Sequence, residues 1–224
     1  MSLPIAVLIS GGGSNLQSII EKMEDNILDV DIRMVLSNKA DAYGLKRAEA
    51  YGIPTAALSH KDFSSREEFD TEMVRILKEA GVEAVVMAGF MRIITPVFLN
   101  AFPGKIINIH PAILPSFPGV DGQGDAAKYG VRLAGCTVHF VDEKMDHGAV
   151  IIQAAVPAYP GEDEDDLRKR ILKQEHRILP QATQWLAQGR LSMEDRFVKL
   201  VEADVELAER DTMSLVNPPL EKGF

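Results

Sequence analysis

Apolar residues in this chain fall into short unbroken runs that alternate with stripes of helical period. The first run, residues 4–10, ends at Ser10 and passes straight into Gly11-Gly12-Gly13-Ser14-Asn15. It is too short for a helix and lacks polar alternation, so it predicts a strand buried on both faces. Leu16, Ile19, Ile20 and Met23 then recur at helical spacing, which sets one apolar stripe against a sheet. The alternation repeats with a strand over 32–36, a helix over 40–51 stopped by Gly52, and a short strand over 55–58. Ser65 with Glu68 forms a capping box ahead of the stripe Phe69, Met73, Ile76 and Leu77, which ends at Gly81. A strand over 82–88 follows. Thr95-Pro96 then opens a short helix that stops near Pro103, and a fifth strand covers 105–109. This rhythm predicts an α/β fold, Rossmann-like, with a mostly parallel twisted sheet and helices on both faces.

Beyond His110 the texture changes. Pro111, Pro115, Pro118, Gly119, Gly122 and Gly124 predict a long irregular loop, and long ordered loops in compact domains tend to be functional. Two β-like runs, 136–141 and 149–156, flank the polar turn 142–148 and predict a C-terminal antiparallel hairpin that extends the sheet. A last long helix begins among the acids 162–166, buries Leu167, Ile171, Ile178, Ala182 and Trp185, and should kink at Pro180. After Gly189 the pattern is weak, and the residues from Asn217 onward read as a tail.

Composition narrows the function. With 24 Lys+Arg against 33 Asp+Glu, the net charge of −9 opposes wrapping nucleic acid or sitting on an anionic membrane. The single Cys136 cannot form an internal disulfide, and no N-terminal signal or 18-residue apolar span is present, so a cytoplasmic protein is expected.

Three places carry candidate chemistry. The glycine turn at 11–15 lies between a buried strand and a helix start, where N–H groups and the dipole favour an anion. It lacks the Gly-Lys-Ser/Thr of a Walker A loop and the third glycine and ribose-binding acid of a dinucleotide fingerprint. Ser14 and Asn15 can cap the helix and also donate to phosphate, although a turn that binds nothing is the alternative. Asn108 and His110, two apart on the fifth strand, share a face at its carboxyl end, where open α/β sheets bind ligands. An amide donor beside an imidazole suits polarising a carbonyl and moving a proton; a capped strand end is the plain alternative. Asp146 in the hairpin turn reads either as turn chemistry or as a carboxylate that orients His110 and favours its protonated form. Arg66 reads as a phosphate contact or a solvated helix arginine, and Glu175 by itself as a surface charge. No histidine pair has ligand spacing, so no metal is expected.

Taken in order, Ile9-Ser10-Gly11-Gly12-Gly13-Ser14-Asn15-Leu16, Ser37-Asn38-Lys39-Ala40, Ala88-Gly89-Phe90-Met91-Arg92-Ile93, Asn108-Ile109-His110-Pro111 with Leu114-Pro115, and the run from Gly135 to Val141 resemble the phosphoribosylglycinamide formyltransferases. These belong to the wider folate-dependent formyltransferase superfamily, and the likeness runs from residue 4 to about 195. It implies the formyltransferase fold and a single catalytic domain over 1–195, with a phosphate-binding N-terminal half, a folate-binding C-terminal half and a tail over 196–224. It also implies that a formyl group passes from 10-formyltetrahydrofolate to the amine of glycinamide ribonucleotide in purine synthesis. The partners would be small molecules, with no nucleic acid or membrane, and the protein a monomer or weak homodimer.

By the same resemblance, Gly13, Ser14 and Asn15 would hold the substrate phosphate and Glu175 would contact its ribose side. Arg66 falls where the family has a basic residue near the ligands. Met91, Arg92, Ile93 and Ile94 would line the folate pocket, and Asp142, Glu143, Lys144 and Met145 would form its other wall. Asn108 would polarise the formyl oxygen, His110 would stabilise the developing charge, and Asp146 would hold His110 charged. One departure stands out: where the family usually carries a second histidine, this chain has Gln123, which hydrogen-bonds but takes no proton. Two rivals remain. A formyltetrahydrofolate deformylase is disfavoured because that family carries a domain before the first strand; a catalytically silent folate or nucleotide binder is kept open by Gln123. A tRNA-formylating relative is disfavoured by the charge.

Overall fold

The computed structural model describes residues 2–201, 203, 205–209 and 212–224. The chain divides into two compact units, Met1–Asn108 with Val141–Glu143, and Ile109–Phe140 with Lys144–Phe224.

The strands β1 (Leu3–Ile9), β2 (Val30–Ser37), β3 (Thr55–Ala57) and β4 (Ala84–Met87) of the first unit, with β5 (Ile106–His110), whose residues to Asn108 belong to it, run in the order β5-β4-β1-β2-β3. Every pairing among them is parallel. Parallel strands need crossovers, and α1 (Ser14–Glu24), α2 (Tyr43–Ala50), α3 (Arg66–Glu79) and α4 (Pro96–Ala101) supply them. Alternate residues of β1 face opposite layers. Ala6 and Leu8 pack with Phe69, Met73 and Leu77 of α3 and Phe98 of α4, whereas Ile9 lies against Gly44 of α2. Both faces of the strand are therefore covered, which is why Ile5 through Ile9 are fully buried and the sequence shows no alternation there.

Helix starts follow local chemistry in part. Ser65 Oγ accepts from Glu68 N (3.1 Å) at the start of α3, while the Glu68 carboxylate accepts from Ser64 N (3.1 Å) and Oγ (2.7 Å), so the box closes one residue earlier than its usual form. The expected side-chain cap on α1 is not formed. Its N-cap is Gly13 in the left-handed region (φ 72°), and Ser14 is the first helical residue.

In the second unit, β6 (Leu133–Phe140) and β7 (Val150–Pro157) pair antiparallel as the expected hairpin. Helix α6 (Glu164–Ala187) packs on both strands, capped by Asp163, and runs through Pro180 as one element. Two expectations from the sequence fail here. Gly122 and Gly124 do not lie in irregular chain; they form the first turn of α5 (Gly122–Tyr129), because the Asp121 carboxylate caps Gly124 N (3.3 Å). The weakly patterned end carries β8 (Leu191–Glu194) paired with β9 (Phe197–Leu200), and β10 (Leu215–Asn217), which pairs with β7. Glu221 there accepts from Trp185 Nε1 (3.0 Å) and Arg190 Nη1 (2.6 Å), so long-range polar pairing replaces the apolar periodicity that sequence reading relies on.

Candidate active site

The strand order reverses between β1 and β4, and in open α/β sheets that switch point is where carboxyl-end loops part to admit a ligand. The glycine turn leaves β1 there. Gly13 needs both its positive φ and its missing side chain, since a Cβ would stand 2.6 Å from Gly44 Cα. Gly44 N donates to the Gly11 carbonyl (3.0 Å), and Arg47 Nε to that of Gly12 (2.9 Å), so α2 clamps the turn from beneath. Gly11 and Gly12 remain exposed, Ser14 is half-buried and Asn15 is buried. The turn presents backbone and a helix N-terminus that no side chain among the described residues caps, together with a guanidinium on its carbonyl side. That arrangement can receive a phosphate.

The loop after β4 is pinned at both ends. Met91 N donates to Ser10 Oγ (2.8 Å), and Ser10 in turn donates to Asn38 Oδ1 (2.5 Å). Thr95 N donates to the buried Asp70 carboxylate (2.6 Å), whose pKa is pushed above the usual range by burial, against the pull of the Thr95 hydrogen bond. Between these anchors Met91 and Ile93 stand exposed, Arg92 is half-buried and Ile94 is buried. An apolar surface held out on a fixed backbone suits a flat aromatic ligand. In the same unit, a cavity of about 290 Å³ is lined by Leu99, Phe102, Ile106 and Val141, with Asp142 and Glu143. Its lining mixes these apolar side chains with Asn100 and the two carboxylates, which can accept from N–H donors. Arg66 is exposed at the first position of α3. Asn108, half-buried, lies in register with Met87 of β4 near the carboxyl end of β5.

His110 closes β5 and is buried. Its Nε2 lies 2.8 Å from the Phe117 carbonyl and therefore donates to it, while Nδ1 is 3.5 Å from Asp146 Oδ2. The same oxygen accepts from Gly119 N (2.8 Å). Asp146 sits at positive φ (51°), a conformation that aspartate tolerates better than most residues, and this turns its carboxylate inward. Each ring nitrogen of His110 therefore faces an acceptor oxygen. His139 is the residue that sequence reading passed over. Its Nδ1 donates to the Phe140 carbonyl (2.7 Å) and its Nε2 lies 3.9 Å from Asp146 Oδ1, so two imidazoles flank one carboxylate. Gly122 fits against His110 because a Cβ would come within 3.0 Å of Nε2. Lys144 and Met145 are exposed in the loop before Asp146.

Glu175 is buried, not at the surface as its isolated sequence context suggests. Gln123 Nε2 donates to Glu175 Oε1 (3.2 Å), and Gln123 Oε1 accepts from Arg168 Nη1 (3.2 Å). Arg168 also binds Asp121 (2.6 Å) and pairs with Glu164. Burial is the largest single influence on the Asp121 carboxyl and would raise it; the Arg168 hydrogen bond and charge, with Gly124 N and the Lys128 charge, together outweigh it and hold the group below the usual range. Arg168 was not foreseen, although its spacing of seven from Glu175 puts both on one face of a helix. Burial, with the Glu175 charge behind it, pushes the Cys136 thiol well up, so that group is no nucleophile. His147 is exposed, and its carbonyl accepts from Arg196 (2.9 Å). No group of metal-ligating side chains occurs among the described residues, and none of their helices is long and apolar enough to cross a membrane.

Three comparisons bear on this geometry. The sequence profile of the formyl transferase family matches residues 3–183. The chain is similar to the phosphoribosylglycinamide formyltransferase of Escherichia coli strain K12, with 45% identity over 191 residues, covering 85% of this chain and 90% of that protein. It is also similar to the trifunctional purine biosynthetic protein adenosine-3 of Drosophila pseudoobscura pseudoobscura, at 48% identity over 204 residues; that match takes in 90% of this chain but spans only 15% of the longer protein. Among solved structures, glycinamide ribonucleotide transformylase 1 from Symbiobacterium toebii superposes with a TM-score of 0.88 at 44% identity, covering 90% of this chain and 95% of that one.

Proposed function

Because the chain belongs to the formyl transferase family, we propose that it transfers a formyl group from 10-formyltetrahydrofolate to the amine of glycinamide ribonucleotide. The observation that carries this reading is that buried His110, two residues beyond Asn108 on β5, has its Nδ1 3.5 Å from Asp146 Oδ2. The folate supplies an activated formyl carbon. Asn108 donates through its amide to the formyl oxygen, and His110, with Nδ1 kept toward Asp146, turns its Nε2–H from the Phe117 carbonyl to that oxygen as negative charge grows on it during attack by the amine. Each such donor, placed where charge develops, contributes roughly 3–4 kcal/mol to the barrier reduction. Asp146, anchored by Gly119 N, keeps the His110 ring oriented and balances its positive charge.

Binding divides among the remaining residues. Gly13, Ser14 and Asn15 receive the phosphate at the N-terminus of α1, and Glu175 accepts from ribose hydroxyls. Met91, Arg92, Ile93 and Ile94, with Asp142, Glu143, Lys144 and Met145, hold the folate, and Arg66 adds positive charge near the ligands. The net charge of −9 suits small-molecule substrates better than nucleic acid.

A mass-resolved assay with 10-formyltetrahydrofolate, with and without glycinamide ribonucleotide, tests the reading. The expected result is formylated nucleotide that appears only when the nucleotide is present. Formate released regardless of the nucleotide would make the chain a deformylase, and no turnover would make it a silent binder.

A further inference from the structure

From the start of α5, Gln123 reaches across to α6 with both ends of its side chain. Nε2 donates to Glu175 Oε1 and Oε1 accepts from Arg168 Nη1, each at 3.2 Å. The orientation is unambiguous in chemical terms. A flipped carboxamide would set its oxygen against a carboxylate and its NH2 against a guanidinium, repulsive at both ends. Arg168 is itself fixed by Asp121, the N-cap of α5, and by Glu164, one turn back on α6. Asp121 also caps Gly124 N (3.3 Å) and lies 3.7 Å from Lys128 Nζ. The chain of contacts therefore runs from the α5 cap through Arg168 and the Gln123 amide to a carboxylate buried on α6.

We propose that Gln123 is a positioning residue that orients Glu175 for its ligand, with Arg168 setting the direction of the amide. A carboxylate only accepts, so the ligand group Glu175 serves is a hydroxyl or N–H donor, and a vicinal diol matches it. The amide does not titrate, so this orientation persists at every pH at which Glu175 is ionised. This inference rests on the reading of Glu175 as a substrate contact made above.

The test is steady-state kinetics of the full chain with both substrates, alongside melting temperatures. Gln123→Leu removes the donor, and Gln123→Glu keeps the shape but sets like charge against Glu175. Both are expected to raise KM for glycinamide ribonucleotide roughly 10- to 100-fold, the range for a hydrogen bond to a charged group, with KM for the folate and kcat much less affected. Combining Gln123→Leu with Glu175→Gln should give no larger KM than Glu175→Gln alone. Gln123→His donates to Glu175 and accepts from Arg168 only while neutral, so it should hold KM near wild type at alkaline pH and add an ionisation to its pH profile. An unchanged nucleotide KM in Gln123→Leu, or a double variant whose defects multiply, overturns the proposal. Wild-type protein that transfers no formyl group at all counts against the functional reading instead. Equal losses in both KM values and kcat with a lowered melting temperature would show that Gln123 only supports the fold.

Discussion

The glycine turn after β1 and the loop after β5 both leave the carboxyl end of a parallel strand, yet they are built on opposite principles. Backbone holds the first: Gly13 at φ 72°, its Cα pressed on Gly44, and carbonyls of Gly11 and Gly12 tied to α2. Side chains from distant parts of the sequence hold the second. Gly119 reaches Asp146 across 27 residues, and Gln123 reaches Glu175 across 52. The cradle has no room for an added atom at Gly13, and none of its own side chains titrates. A side-chain cluster accepts isosteric change in shape but depends on charge. The contrast teaches that shape requirements concentrate in the first region and proton chemistry in the second.

Substitutions can break that contrast. The largest effect is expected for His110→Ala, with kcat lower by about 10² to 10⁴ from loss of the proton donor. Its melting temperature should stay close to wild type, and a near-normal kcat would remove His110 from the chemistry. Gly13→Ala should do the reverse. A Cβ 2.6 Å from a backbone carbon at positive φ costs on the order of 2–4 kcal/mol of stability, read by denaturant unfolding, together with weaker inhibition by inorganic phosphate. A Gly13→Ala protein as stable as wild type would show that the turn is not tightly packed.

Asp70 sharpens the comparison from a third side, because it anchors the loop after β4 with a buried charge. Its folded-state pKa is raised, so the folded chain holds the proton more tightly than the unfolded one. That contribution is fully present below the unfolded value and is lost as pH rises through the folded value. Asp70→Asn keeps an acceptor for Thr95 N without the charge, so its unfolding free energy should depend less on pH across that window and match or exceed wild type at neutral pH. Asp70→Leu removes the acceptor and should cost about 1–3 kcal/mol. The smallest effect is expected for Arg47→Ala, about 0.5–1.5 kcal/mol for its hydrogen bond to Gly12, with kcat unchanged in the formyl-transfer assay.

Much of the fold was legible because its signals are local. The unbroken run before the glycine turn, the Ser65 cap with its Phe69 stripe, and the hairpin around residues 142–148 each announce themselves within a dozen residues. Asn108 and His110 were legible as a pair for the same reason, since strand period alone puts them on one face. The start of α5 was misread because glycine inside a first turn argues against helix, and only the Asp121 cap with its Arg168 partner reverses that. The chain end was unread because its anchors, Glu221 on Trp185 and Arg190, are polar and more than thirty residues away.

The sequence by itself determined the order of elements from β1 to β5, the β6–β7 hairpin with α6, the glycine turn, the Asn108–His110 pair and the family resemblance, because hydrophobic period and turn chemistry act between near neighbours. Tertiary structure alone decided that Glu175 is buried, that His139 shares Asp146 with His110, and that Gln123 spans Glu175 and Arg168. Those facts depend on which distant segments pack together. Burial and the partner of a charge are properties of that packing, and no local pattern encodes them.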